Sequence, residues 1–290
     1  TLRHDNSPHD VDPRGGKVEI VATEEMELDR LHVEDSVVAH SSNVSVSGTL
    51  LSKNTVWDTM ALVHANVIDV RNDSFWEVAA VSATTLLLDE SSTIDGSDAS
   101  LLRLTADEMV ISGTVTGPQV VLHGSSSVHL QGSGMVNTSH QGSDSGKGRG
   151  AGSALSSSAV GGGVGGTHGG GGGFGDSSSL AAAKSYGDVE KPTELGSGGQ
   201  MGRYKYSNSA YYKYGGAGGG AIAISVDSGA LKLDGDASIL ANGEAGEDGI
   251  TANDYYGQFC GGGGGSGGSV MINASKVVGS GVIEAKGGAG

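Results

Sequence analysis

The chain has few of the residues that usually fix a compact domain. It carries one cysteine, Cys260, four prolines and 4% aromatic residues in 290 positions. A lone thiol forms no intrachain disulfide, so no disulfide framework holds this fold and cysteine usage does not fix the compartment. Cys260 is either an inert thiol or one that bridges to another chain or to a part of the protein outside this sequence. Scarce aromatics leave little bulk for a broad globular centre, and a narrow core suits the composition better. Basic residues are also short: 17 Lys and Arg stand against 33 Asp and Glu, a formal net charge of −16. Phosphate recognition depends on clustered Lys and Arg, so no nucleic acid is expected as partner. No apolar run approaches the roughly 18 residues of a membrane span, and the start lacks a basic-then-apolar signal pattern; no membrane insertion is expected. The chain opens Thr1-Leu2-Arg3 without Met and closes on Gly287-Gly288-Ala289-Gly290, which reads as a processed or truncated piece of something longer.

What is abundant is glycine, 53 residues, without the Gly-x-y period of collagen. The 36% hydrophobic content supplies enough Val, Ile and Leu for a core. Order appears as repetition. Gly219-Gly220-Ala221-Ile222-Ala223-Ile224 returns as Gly267-Gly268-Ser269-Val270-Met271-Ile272, and each copy leads to an Ala-x-Gly exit, Ala241-Asn242-Gly243 and Ala285-Lys286-Gly287. A weaker pair is Gly132-Ser133-Gly134-Met135-Val136-Asn137 and Gly279-Ser280-Gly281-Val282-Ile283-Glu284. Short apolar segments recurring at such spacing point to a solenoid, whose units cannot bury their own faces alone.

Three stretches follow along the chain. Residues 1–16 are polar and read as an N-terminal arm. Residues 17–141 form a β-rich solenoid segment of short alternating runs, among them Lys17–Val21, Val44–Leu50, Val67–Val70, Val110–Val115, Val120–Leu122 and Val128–Leu130, broken by Gly, Ser, Asn and Asp. Residues 142–290 hold glycine-rich β-solenoid repeats that continue past the fragment. Long helical periodicity is missing. The predicted fold is all-β, a right-handed parallel β-helix (solenoid), preferred to a sandwich because the strands have the small, β-branched character of stacked rungs. Its glycine runs, joined directly to strands, are expected to pack on it as polyglycine-like extended loops.

Reactive constellations are not evident, and no catalytic residue is assigned. There is neither the carboxylate pair of a glycosidase nor an Asp cluster beside a basic group. His168, in Thr167-His168-Gly169, stands in polyglycine with no acidic partner motif and reads as a turn histidine. His123, His129 and His140 lack metal-ligand spacing and are expected on the surface or on rungs; no metal site is assigned. The acidic loops Asp234-Gly235-Asp236 and Asn242-Gly243-Glu244 through Glu247-Asp248-Gly249 carry oxygen ligands of the kind Ca²⁺ takes. They match neither the EF-hand spacing nor the calcium β-roll repeat, so they read as solvated turns and no cofactor is expected. No Gly-Lys-Ser/Thr follows a glycine run, which leaves no phosphate loop.

Two features suit contact rather than chemistry. Asn43, Asn72, Asn137 and Asn273 each open an Asn-x-Ser/Thr acceptor for N-linked glycans. Tyr204, Tyr206, Tyr211, Tyr212 and Tyr214 alternate with Lys and Arg, and Tyr255 and Tyr256 lie in the next loop. Tyrosine beside cationic residues offers wide amphipathic contact at low entropy cost, an interface composition.

The ordered series Thr167-His168-Gly169-Gly170-Gly171, Ser185-Tyr186-Gly187-Asp188, Pro192, Leu195-Gly196-Ser197-Gly198-Gly199, Gly215 through Ile222 and Gly264 through Val270 resembles the glycine-rich repeat of very large secreted and cell-surface proteins of plants, algae and protists. Some of these resemble components of the flagellar hairs called mastigonemes. The resemblance covers about 130 to 290 and implies an extracellular or cell-surface β-solenoid scaffold, with no catalytic residues to carry over. The near absence of cysteine departs from relatives that have disulfide-rich modules. The expected function is a structural glycoprotein, a subunit that self-assembles or joins other subunits in a flagellar hair or cell-surface fibre. The alternative is an adhesin-like module gripping glycan or protein through its tyrosine loops.

Overall fold

The computed structural model describes residues 2–5, 16–20, 27–39, 43–58, 62–155, 161–173, 183–206, 209–249 and 260–290. Among these the structure is all-β, with no helix. Strands β1 (Leu2–Asp5), β2 (Gly16–Ile20), β3 (Glu27–Ala39) and β4 (Val44–Asp58) come first. Long and three-residue strands then alternate: β5 (Leu62–Arg71) and β6 (Phe75–Glu77), β7 (Ala80–Leu88) and β8 (Thr93–Asp95), β9 (Leu102–Ile111) and β10 (Thr114–Thr116), β11 (Gln119–Leu130) and β12 (Met135–Asn137). After a hairpin of β13 (Gly202–Tyr206) and β14 (Ser209–Lys213), the alternation resumes with β15 (Ala221–Leu233) and β16 (Ser238–Leu240), then β17 (Ser269–Gly279) and β18 (Val282–Glu284). β1, in the stretch read as an arm, pairs antiparallel with β2, whose paired residues Lys17–Ile20 lie beyond it.

Contacts divide the chain into two compact units. The first takes Thr1–Asn137, Ala223–Ile239 and Ile272–Ile283; the second takes Thr138–Ile222, Leu240–Met271 and Glu284–Gly290. Strands of the first unit run in the order β17-β15-β11-β9-β7-β5-β4-β6-β8-β10-β12-β16-β18. Long strands thus stack on long strands and short on short, and β4 is long enough to pair with both series. From β4 out to β11 on one side and from β4 out to β12 on the other the pairings are parallel, as in a parallel β-helix.

Parallel register turns the sequence's alternation into ladders. Leu50, Ile68, Leu86, Met109 and Val128 are successive partners, and so are Trp57, Trp76, Ile94, Val115 and Val136. All ten are fully buried. Burying each aliphatic side chain contributes about 1.5–3 kcal/mol, so a one-residue slip, which would turn a ladder outward, is strongly disfavoured. The Trp57 and Trp76 rings lie 5.0 Å apart at 33°. At the adjoining corner the buried Ser52, Thr55, Ser74 and Ser92 satisfy one another: Trp76 Nε1 donates to Ser52 Oγ (2.8 Å), Thr55 N to Ser74 Oγ (3.2 Å), and Ser74 N to Ser92 Oγ (3.2 Å).

The second unit is held by backbone. Its centre is the extended segment 260–268, whose bonds recur every third residue. Gly262, Gly265 and Gly268 donate to Glu247, Glu244 and Ala241 (2.8–2.9 Å), while Gly263 and Ser266 donate to Gln200 and Ser197 (2.9 Å each). Gly263 and Ser266 accept from Gly216 and Gly219, Gly261 and Gly264 from Gly163 and Gly166, and Gly265 from Gly288. Five extended segments therefore surround it: 161–167, 196–200, 214–220, 241–247 and 285–290. Each is bonded to the next in that order, through Gln200 to Val164, Gly199 to Gly216, Glu244 to Ala217 and Gly243 to Lys286. Three residues per turn is the period of a polyproline-II-type helix, which has no internal hydrogen bonds and leaves all its backbone groups for neighbours.

Candidate functional site

The second unit contains a cavity of about 620 Å³. One wall is backbone, Gly265 to Gly268 with Gly287 and Gly288; another is the run Gly169 to Gly173; His168, Tyr186, Val189 and Pro192 supply side chains. The chain folds so because glycine alone permits the approach: a Cβ on Gly263 would stand 2.2 Å from Val164 O, and one on Gly265 1.9 Å from Ala217 O.

The sequence reads His168 as a turn histidine; it stands at a bend, 8% exposed, its ring centroid 4.9 Å from that of Tyr186. His168 Nε2 is buried with no hydrogen-bond partner among the described residues. Tyr186 is fixed by its hydroxyl, which donates to Leu195 O (2.5 Å) and lies 2.7 Å from Ser197 Oγ. Burial pushes the Tyr186 hydroxyl above its ordinary value of 10.0, so it stays protonated near neutrality and acts as a donor. Arg149 lies over the Tyr186 ring at 5.5 Å and bonds Glu194 Oε1 at 2.9 Å. Tyr186 is thus committed to holding its wall, and what the cavity offers an occupant is mainly glycine backbone together with the unpaired His168 Nε2.

The residues singled out from sequence scatter. Asn43, Asn72 and Asn273 are exposed; Asn72 has φ 54° in a turn. Asn137 is half-buried on β12, where its carbonyl accepts from Thr116 Oγ1 (2.8 Å). Tyr211, Tyr212 and Tyr214 are exposed at 43%, 52% and 60%, with Arg203 5.7 Å from the Tyr212 ring. Tyr204 and Tyr206 lie on β13 opposite Tyr211 and Ser209, their side chains outside the described residues, as are Tyr255 and Tyr256 altogether. Cys260 is 1% exposed. His123 and His129 both sit on β11 and face β15: His123 Nδ1 is 2.8 Å from Ser225 Oγ, and His129 Nε2 2.9 Å from Asp234 Oδ2. Among the described residues no group of three or more His, Cys, Asp or Glu could hold a metal ion, and no helix is long and apolar enough to cross a membrane. The cavity itself carries almost no sequence signal, because its walls are glycine.

Comparison with protein-family models, with curated proteins and with solved structures gives no match to this chain.

Proposed function

We propose that this chain is a structural subunit of an extracellular filament, a flagellar hair of the mastigoneme type or a cell-surface fibre, assembled by stacking coil on coil. In this reading the coil is right-handed, the hand that parallel crossovers overwhelmingly adopt, and the glycine segments are polyglycine-type extended helices. The observation that carries it is the end of the ladders. Within these 290 residues β17 and β18 are the last strands of the two series, and Val277, Val282 and Ile283 there are 48%, 48% and 43% exposed. On the preceding strands Leu233 and Ile239 are 3% and 0% exposed. A sheet edge with unpaired backbone and apolar rungs is a template for another strand, and contacts that do not close on themselves give fibres. Such an edge takes a further coil, from a continuation of this chain or, where the coils end, from a second copy stacked head to tail.

Exposure of Asn43, Asn72 and Asn273 supports N-glycosylation and hence an extracellular or cell-surface setting. Asn137 is packed, and the Ser139 hydroxyl of its acceptor triplet takes a bond from Asn242 N (3.1 Å). Electron microscopy of native material, with mass spectrometry of its glycopeptides, tests the reading. Filaments bearing glycan on Asn43, Asn72 or Asn273 but not Asn137 are expected, and Ile283→Glu should leave isolated particles. A wild-type chain monomeric under all conditions refutes the filament.

The exposed Tyr211, Tyr212 and Tyr214 favour a second reading, an adhesin-like module for glycan or protein. Replacing the five tyrosines of 204–214 with Ser should then abolish binding and leave assembly intact.

A further inference from the structure

We infer that the cavity of the second unit is a docking slot for one further extended glycine-rich segment. A three-residue turn carries three N–H and three C=O groups, and so has six bonding directions. The central segment 260–268 uses them in pairs that serve adjacent neighbours. Gly262 and Gly265 donate to segment 241–247, and Gly265 accepts from 285–290; Gly263 and Ser266 donate to 196–200 and accept from 214–220. The third set, Gly261 and Gly264, accepts from 161–167. By the same rule the donors of that set, Gly264 and Gly267, face the remaining direction, between 161–167 and 285–290. Neither donates a backbone bond among the described residues.

The cavity lies in that direction. Its lining takes Gly166 from one flanking segment, Gly287 and Gly288 from the other, and Gly265 to Gly268 from the centre. The opening lies at the Gly267 end of the segment: Gly264 is buried and outside the lining, whereas Gly267 and Gly268 are half-buried and line it. Gly287, on the flank, likewise gives no backbone bond among the described residues. On the opposite wall a Cβ built on Gly169, Gly170 or Gly171 meets nothing within 4 Å. Buried His168 contributes a further unpaired donor or acceptor, Nε2. Among the described residues five places of a six-fold ring are filled, and the sixth is open and walled largely by glycine. The five occupied places approach so closely that a Cβ is excluded, so the segment that completes the ring is rich in glycine and extended. This inference stands whether or not the coils stack into a filament.

The test uses the full chain and a fluorescently labelled peptide of sequence Gly-Gly-Gly-Gly-Gly-Ser-Gly-Gly-Ser, the same as residues 261–269, with a control peptide carrying Val at every third position. Saturable binding of the first peptide alone is expected, with slowed hydrogen exchange at Gly267 and Gly287. Gly171→Leu places a side chain in open space, so the fold survives and the slot fills; peptide affinity should drop at least about tenfold, as overpacking a site does. Circular dichroism and exchange at Gly263 report that the variant is folded. Absence of saturable binding, equal binding of the Val peptide, or unchanged affinity in folded Gly171→Leu would each overturn the assignment.

Discussion

Gly263→Ala tests the glycine bundle at its centre. The added Cβ would lie 2.2 Å from Val164 O, 2.4 Å from Val164 C and 2.8 Å from Gly165 N, all backbone atoms, whereas ordinary contact begins at 3.4 Å. The two segments must separate by about an ångström, and no rotamer relieves the clash. Three bonds converge on this crossing: Gly263 N to Gln200 O (2.9 Å), Gly216 N to Gly263 O (2.9 Å) and Gln200 N to Val164 O (2.8 Å). A net bond is worth about 1 kcal/mol and a buried group left unpaired costs about 1–3. The loss is therefore about 3–5 kcal/mol, offset by under about 1 kcal/mol from the stiffer unfolded chain. Gly171→Ala is the matched control, because its Cβ meets nothing within 4 Å; it should be neutral or stabilise by about 0.4–1 kcal/mol. Tryptophan emission is the wrong probe, since Trp57 and Trp76 both belong to the other unit. Native-state hydrogen exchange by mass spectrometry reads the segment directly. Protection of Gly262, Gly263, Gly265 and Ser266 should fall about a hundredfold in Gly263→Ala. If the two variants protect these amides equally, close backbone packing is not what holds the unit.

The stacked tryptophans give a paired test in the first unit. Trp76 Nε1 is bonded to Ser52, while Trp57 Nε1 is buried with no partner among the described residues; Trp76→Phe should thus cost about 1 kcal/mol more than Trp57→Phe by urea unfolding, and equal costs refute the hydrogen-bond account. Glu284 supplies a pH signature, its carboxyl held below the ordinary 4.5 by the Lys286 ammonium and then by Asn242. A folded value below the unfolded one gives stability that is present above about pH 4.5 and lost as pH falls through the folded value. Glu284→Gln should lower the thermal midpoint more at pH 7 than at pH 3, and a constant difference across that range rules the linkage out.

The repeats were the most legible feature. The copies beginning at Ala221 and Ser269 are β15 and β17, adjacent in the sheet, and the Ala-x-Gly exits lie side by side: Ala241 N bonds Glu284 O, Gly243 N bonds Lys286 O, and Lys286 N bonds Asn242 Oδ1. Finer boundaries were less visible, for physical reasons. Val110–Val115 alternates like a single strand, yet it breaks between β9 and β10 because a turn at Ser112-Gly113 passes where a Cβ on Gly113 would meet Asp89 O at 2.2 Å. Val120–Leu122 and Val128–Leu130 join into β11 across an irregularity at Gly124/Ser127 that keeps both halves facing inward. Composition changes near residue 142, but the strands at 221–240 and 269–284 pack largely with the first unit, since ladder partners come from register and not from neighbouring composition. The cavity was invisible because no side-chain type marks it.

Glycine density does, however, report position in the bundle. Segment 241–247 lies outside the centre and faces it with only Gly243 and Gly246, every third residue; a Cβ there would meet Gly265 O at 2.3 Å and Gly262 O at 2.1 Å. Its other positions are Ala241, Asn242, Glu244, Ala245 and Glu247; Ala241 is buried, and Glu244, Ala245 and Glu247 are exposed. The central segment is covered on nearly every side and is glycine at every position from 261 to 265. One neighbour therefore requires one glycine in three, and a full ring requires an unbroken run. Gly169 to Gly173 is the other unbroken run of five, yet four of its members meet nothing within 4 Å. By the rule that accounts for segments 241–247 and 260–268, a run with that signature is suited to backbone neighbours on several sides, and it stands on the wall of the one ring position left open.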